Sequence, residues 1–249
     1  MTQNSFFDYK DDQLHCENVA LTTIAAEVGT PVYIYSQQAL YERAHAYLAA
    51  PGHAHYAVKA NSNIHLLRLL ASWGLGADVT SGGELYLAQQ AGFAAEQIIF
   101  SGVGKSAAEI RTALKANIQA LHAESAEELQ LIEQIAAEME TQARIGLRLN
   151  PNINAETHPY ISTGMSEHKF GIAVPTGIEL FHYAQQSPHL RPVGIAAHIG
   201  SQIRDLSPFR EAAELLVSIA DELKSAGIIF EYIDVGGGLG IDYDHQKAL

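Results

Sequence analysis

Between residues 54 and 149 the chain repeats a single alternation. A short apolar, β-prone run gives way to a stretch whose apolar residues recur at helical spacing, the pattern of βα units laid around a parallel sheet. The runs 54–59, 76–79, 98–101, 119–123 and 143–149 predict five strands that begin about 22 residues apart. Further on, a helix over about 176–186 leads to a strand ending Ile195-Ala-Ala-His198, and a helix over about 208–226 leads to a strand at 230–235. Helix starts are marked three times by the same device, Ser81-Gly-Gly-Glu84, Ser106-Ala-Ala-Glu109 and Ser125-Ala-Glu-Glu128. Each predicts a capping box, in which the serine accepts from the third helical N–H and the glutamate reaches back to the serine amide. Gly92 predicts a helix stop, and Trp73, beside Gly74, a core position.

Seven strands of this kind predict an α/β fold of the (β/α)8 TIM-barrel type, and a closed barrel needs an eighth. The expectation is therefore a barrel over 36–249, truncated before its eighth strand. Residues 1–35, with the apolar β-like run Pro31-Val-Tyr-Ile-Tyr35, are assigned to a second β domain that lies mostly outside this chain. The polar stretch 150–170 is long for a barrel connection, which marks it as a functional loop.

Composition narrows the class. Of 249 residues 47% are hydrophobic and 17% charged, the balance of a folded protein rather than a disordered one. A formal charge of −13, with no basic patch in the sequence, argues against a nucleic-acid partner. The single cysteine, Cys16, excludes an intrachain disulfide. No apolar run reaches the roughly 20 residues needed to span a bilayer. The start Met1-Thr-Gln-Asn-Ser5 has neither the charge nor the apolar core of a signal peptide, so a cytoplasmic location is expected.

Chemistry concentrates where strands end. Lys59 follows Tyr56-Ala-Val58, where a buried strand passes into a loop; surroundings that desolvate its ammonium would free the amine to attack an aldehyde. A snorkelling surface lysine is the ordinary alternative. Asp234-Val-Gly-Gly-Gly-Leu-Gly240 closes the seventh strand, and consecutive glycines can bring N–H groups against an anion. An empty glycine turn is equally consistent with those residues alone. His198-Ile-Gly-Ser201 ends the sixth strand and offers a flat imidazole and a hydroxyl donor, against the alternative of a core histidine bonded to a carbonyl. Asp78 and Arg148 end the second and fifth strands and could pair across the barrel mouth, orienting their neighbours as readily as doing chemistry. Glu84 reads as a cap. His53-Ala-His55 lacks the third ligand of a convincing metal site, and no metal is assigned.

Taken in order, Tyr56-Ala-Val-Lys-Ala-Asn-Ser-Asn63, Asp78-Val-Thr-Ser-Gly-Gly-Glu-Leu85, Phe100-Ser-Gly-Val-Gly-Lys105, His158-Pro-Tyr-Ile-Ser-Thr-Gly164, Lys169-Phe-Gly-Ile172, His198-Ile-Gly-Ser-Gln202 and Asp234-Val-Gly-Gly-Gly-Leu-Gly240 resemble the pyridoxal-phosphate enzymes with an alanine-racemase-like barrel, and among them the diaminopimelate decarboxylases. The resemblance implies pyridoxal 5′-phosphate as cofactor, held by the Lys59 amine, with His198 stacked on its ring and Ser201, Gly236, Gly237 and Gly238 on its phosphate. Asp78 and Arg148 match positions near the cofactor, and Lys59 and His198 are the residues expected to take part in the chemistry. The reaction implied is decarboxylation of meso-diaminopimelate to L-lysine by a cytoplasmic homodimer. Another basic amino acid as substrate, racemisation on the same barrel, or a noncatalytic cofactor-binding relative are the alternatives. Family members are considerably longer, so the chain by itself is expected to be inactive or nearly so.

Overall fold

The computed structural model describes residues 6–153 and 170–241. At the N-terminus β1 (Phe7–Lys10), β2 (Gln13–Cys16) and β3 (Val19–Ala20) form a small antiparallel sheet, followed by α1 (Leu21–Val28). The run Pro31–Tyr35 is not a strand: it is irregular and mostly exposed, with Tyr33 at 90%. β-prone residues need a ladder partner as well as propensity, and no pairing of these residues is seen among those described.

From there the alternation read in the sequence is realised. After α2 (Gln37–Leu48) come β4 (His55–Ala57), α3 (Ile64–Ser72), β5 (Gly76–Val79), α4 (Gly82–Ala91), β6 (Ile98–Phe100), α5 (Ala107–Ala116), β7 (Ala120–Ala123), α6 (Ala126–Glu138) and β8 (Ala143–Asn150). The two-residue β9 (Ile172–Ala173), α7 (Val174–Gln186), β10 (Leu190–Ala197), α8 (Ser207–Ser225) and β11 (Tyr232–Asp234) complete the order. Seven of these strands lie side by side, all parallel, in the order β4-β5-β6-β7-β8-β10-β11, and β9 adds a short parallel pairing to β8. The result is a curled α/β half-barrel. Residues 154–169 of the 150–170 loop lie outside the described residues, and with them the motif 158–164 and Lys169 of the motif 169–172.

The two faces of the sheet differ sharply. On β8, Ala143, Ile145, Leu147 and Leu149 are buried in the common apolar core, while Arg144, Arg148 and Asn150 between them are only half-buried and Gly146 stands in the same row. The period of two assigns the first set to the helices outside and the second to the concave interior. Helix faces match: Ala212, Leu216, Ile219 and Leu223 recur along one side of α8 and are its buried residues. Curling brings distant strands together across the concave face. His122 on β7 bonds Tyr232 on β11 at 2.8 Å although β8 and β10 lie between them in the sheet, and His55 on β4 bonds Gln119, just before β7, at 3.1 Å.

The helix starts show how far a cap motif carries. Ser81, Ser106 and Ser125 each accept from the backbone N–H three residues on. Only Ser106–Glu109 closes the reciprocal box. Glu84 reaches instead to the N–H and hydroxyl of Thr80, and Glu128 to the N–H groups of Glu124 and Lys105, because a neighbouring donor outside the motif competes for each carboxylate. Gly92 ends α4 at φ +95°, in the left-handed region. Trp73 is half-buried, edge-on to Tyr41.

Candidate active site

The carboxyl ends of the strands gather one set of polar groups. Strand register aligns Ala57 with Asp78 and Asp78 with Ile99 on one side, and Arg148 with Ala196 and Ala196 with Asp234 on the other. Lys59 lies two residues beyond the end of β4, in a 3-10 turn over Val58–Ala60; the strand itself stops at Ala57. Its side chain is exposed, which corrects the expectation that packing would desolvate the ammonium. The turn carries Lys59 past the rim of the sheet, where the described residues leave it open to water.

His198 follows β10, and the loop after it is stitched to the glycine turn after β11. Ile203 N–H donates to Gly238 O at 3.0 Å and Gly240 N–H to Ile203 O at 2.9 Å. A side chain at Gly236 would collide with the Ala197 carbonyl at 2.4 Å, and one at Gly238 with the Gly200 carbonyl at 1.9 Å. Both adopt positive φ, +73° and +108°, so close approach and backbone conformation each demand glycine. A Cβ on Gly237 would meet nothing within 4 Å: that side of the turn is open. Ser201 is exposed beside it. Two of the turn's N–H groups already have internal acceptors, Gly236 in Asp234 Oδ1 at 2.8 Å and Gly237 in His198 Nδ1 at a long 3.4 Å.

Arg148 does not pair with Asp78. Its Nη1 donates to both oxygens of Glu124, at 2.9 and 3.1 Å, and its guanidinium lies 5.8 Å from the Phe170 ring centroid. Glu124 closes β7, next to β8 in the sheet, whereas β5 is two strands further off. Behind this pair is a second one. Lys105, 5% exposed, donates from Nζ to the carbonyls of Gly102 and His122 at 2.7 and 2.5 Å and faces Glu128 Oε2 at 3.3 Å. Glu128 also accepts from the Glu124 N–H at 2.8 Å, linking the two pairs into one cluster of two positive and two negative charges.

Two buried polar atoms have no partner among the described residues, Asp78 Oδ1 and Arg148 Nε. Burial pushes the Asp78 carboxyl up to about 6, with the Asp234 charge adding to it and the Ser101 hydroxyl, Lys59 and Arg148 pulling the other way. Burial and the charges of Arg148 and Lys59 push His198 down to about 4, opposed by Asp234, so its imidazole is neutral near pH 7. Lys59, Arg148 and Asp234 thus act on both Asp78 and His198 at a single rim. Motif reading missed Glu124, Lys105, His122 and Tyr232 and took Glu128 only as a helix cap. Lys105 closes the motif 100–105, and His122, Glu124, Tyr232 and Asp234 carry one available signal, polar residues at alternate positions at the ends of short strands.

A half-barrel whose strand ends carry an open amine, a neutral imidazole and a glycine turn places the chain among α/β-barrel proteins with their candidate site at the carboxyl ends of the strands. The chain belongs to the pyridoxal-dependent decarboxylases: the model of that family's pyridoxal binding domain matches residues 34–249. It is 45% identical over 242 residues to the diaminopimelate decarboxylase of Aquifex aeolicus (strain VF5), covering 96% of this chain and 58% of that protein. To the diaminopimelate decarboxylase of Neisseria meningitidis serogroup B it is 46% identical over 239 residues, 94% of this chain and 58% of the relative. Among solved structures it is similar to diaminopimelate decarboxylase from Helicobacter pylori complexed with L-lysine, with TM-score 0.85, 44% identity, and coverage of 92% of this chain and 59% of that one. The M. jannaschii enzyme in co-complex with L-lysine gives TM-score 0.86 at 37% identity, over 100% and 60% of the two chains. The chain therefore spans about three-fifths of the length of these relatives.

The cofactor of this family is pyridoxal phosphate, and the residues at the rim suit it. Lys59 offers an amine in the open. Asp78 Oδ1 and Arg148 Nε are orphaned polar atoms, and Gly237 borders a cleared space beside the turn.

Proposed function

We propose that the protein to which these residues belong removes one carboxyl group of meso-diaminopimelate, giving L-lysine and carbon dioxide, with pyridoxal phosphate held at this rim. What carries the reading is the meeting of Lys59, His198 and the Gly236–Gly238 turn at the same end of the sheet, from segments far apart in sequence. Pyridoxal phosphate supplies an aldehyde for an amino group and a pyridine ring that draws electrons from the substrate's Cα. Lys59 presents the amine that would hold it. His198, neutral and with Nδ1 facing the Gly237 N–H, presents a flat ring face without adding positive charge. Ser201 and the turn would bind the phosphate, the Gly237 N–H exchanging its long bond to His198 for an anionic acceptor. Asp78 and Arg148 would flank the ring, each with an unused polar atom, and Glu124 holds Arg148 in place.

Diaminopimelate as substrate is supported by identities of 45% and 46% to named diaminopimelate decarboxylases. The same reading makes the protein a cytoplasmic homodimer without a nucleic-acid partner; no helix among the described residues is long and apolar enough to cross a membrane. The test is capture of pyridoxal phosphate by the 249-residue chain, followed by borohydride reduction and peptide mass mapping. A stable adduct on Lys59, lost in Lys59→Ala, is expected. An adduct on other lysines at equal yield would sink the assignment. Product analysis from meso-diaminopimelate with the longer protein to which these residues belong should show lysine, and epimerised diaminopimelate instead would point to racemisation.

A further inference from the structure

His122 is buried on the concave face, and the structure makes room for it. A Cβ on Gly146 would lie 2.7 Å from the His122 ring, and one on Gly194 would lie 2.1 Å from the ring of Tyr232. Glycine in mid-strand weakens a strand, so two of them in the central strands β8 and β10 mark a space kept for these rings. The rings stack at 5.9 Å between centroids, 23° from parallel, and the Tyr232 hydroxyl lies 2.8 Å from His122 Nε2. Tyr232 is half-buried, and His122 Nε2 is the one partner of its hydroxyl among the described residues, so the phenol is taken as the donor of this pair. Donation there makes Nε2 the unprotonated nitrogen and places the ring proton on Nδ1. Burial holds the phenol's pKa up and pushes His122 down to about 4, which keeps both groups in the neutral forms this arrangement needs.

The Nδ1 side faces two acceptors, Ser101 Oγ at 3.4 Å and Asp234 Oδ2 at 4.0 Å. Asp234 in turn accepts the Gly236 N–H through its other oxygen at 2.8 Å. Ser101 follows β6 on the same face as Asp78, diagonal to it in the register, and its hydroxyl acts on the Asp78 carboxyl. The ring therefore sits between the two halves of the rim, with β5 and β6 on one side and the β11 turn on the other.

We propose that His122 is a positioning residue of this site: with Nε2 held by the Tyr232 hydroxyl, its Nδ1–H faces Asp234 and Ser101 and keeps the Gly236–Gly238 turn set for a phosphate group. This rests on the pyridoxal-phosphate reading above, because it gives the turn its ligand.

The test combines nitrogen NMR of the histidine rings with binding of two probes, pyridoxal phosphate and pyridoxal, which lacks the phosphate. Without any ligand at pH 7, His122 should show the tautomer protonated on Nδ1, and Tyr232→Phe, which keeps the ring filling the space at Gly194, should lose that preference. Tyr232→Phe and His122→Leu should weaken pyridoxal phosphate binding by about threefold to tenfold, the scale of one hydrogen bond, and leave pyridoxal binding unchanged. His122→Asn, which retains an N–H near the Nδ1 position, should recover most of the discrimination lost in His122→Leu. A parent protonated on Nε2, or variants that weaken both probes by the same factor, would overturn the proposal. If the parent bound no pyridoxal phosphate at all, the underlying reading would fail; the ligand-free tautomer is measured separately, so the two failures are told apart.

Discussion

Asp78 carries a charge that its surroundings resist. Its carboxyl titrates near 6 in the fold, against an ordinary value of 3.8, because burial disfavours the anion more than Ser101, Lys59 and Arg148 favour it. A folded pKa above the unfolded one contributes stability that is fully present below about pH 3.8 and is lost as pH rises through about 6. Asp78→Asn should therefore stabilise the chain at pH 8 by on the order of 3 kcal/mol, and the gain should vanish at pH 3.5; urea unfolding at the two pH values measures both. A variant less stable at pH 8 would show that the ionised carboxylate is compensated in the fold. His198 has the opposite sign. Its folded pKa near 4 lies below the ordinary value of 6.5, so its contribution is complete above about 6.5 and lost as pH falls through 4. Proton NMR of the ring should show no titration between pH 7 and 5.

At the scale of elements, the connection into α5 and the start of α6 depend on charges buried together. Lys105 lies between the end of β6 and α5, Glu128 in the first turn of α6, and their contact fixes the Glu124 backbone that presents a carboxylate to Arg148. Lys105→Met leaves the buried Glu128 carboxylate without its cation, a change that costs about 3–5 kcal/mol. Denaturant unfolding should show that loss. Lys105→Arg should lose nearly as much, since a forked guanidinium cannot reproduce the Nζ contacts to two carbonyls. Ser106→Ala, which removes one closed capping box on the surface, should cost only about 1 kcal/mol. Similar outcomes for Ser106→Ala and Lys105→Met would mean that the buried cluster adds no more to the fold than a surface cap does.

For the molecule as a whole, the curled sheet ends in β4 on one side and β11 on the other, each hydrogen-bonded along one side only among the described residues. Unpaired strand edges template association. The chain is expected to self-associate as its concentration rises, and light scattering across a dilution series measures this; a monomer throughout would show the edges to be covered. The interior adds a second constraint. Gly194→Ala would drive a methyl into the Tyr232 ring, at a cost of about 1–3 kcal/mol from overpacking. Combining it with Tyr232→Leu should recover part of that loss in the same unfolding assay.

Local pattern in the sequence determined the seven strands, the starts of α4, α5 and α6, the extents of α7 and α8 to within two residues, and the rim positions of Lys59, Asp78, Arg148, His198 and the glycine turn. The reason is periodic: a strand that must bury one row of side chains in the helix layer writes that need into alternate residues, and the rim is simply where each such run stops. Tertiary structure alone decided who meets whom. Arg148 took Glu124 rather than Asp78 because register and strand order, which no local run encodes, set the neighbours. Lys59 lies in the open because a one-turn 3-10 segment lifts it past the last ladder bond. His122 reaches Tyr232, 110 residues away, only because the sheet curls and two glycines leave space between them, a fact of three-dimensional packing invisible to any window of sequence.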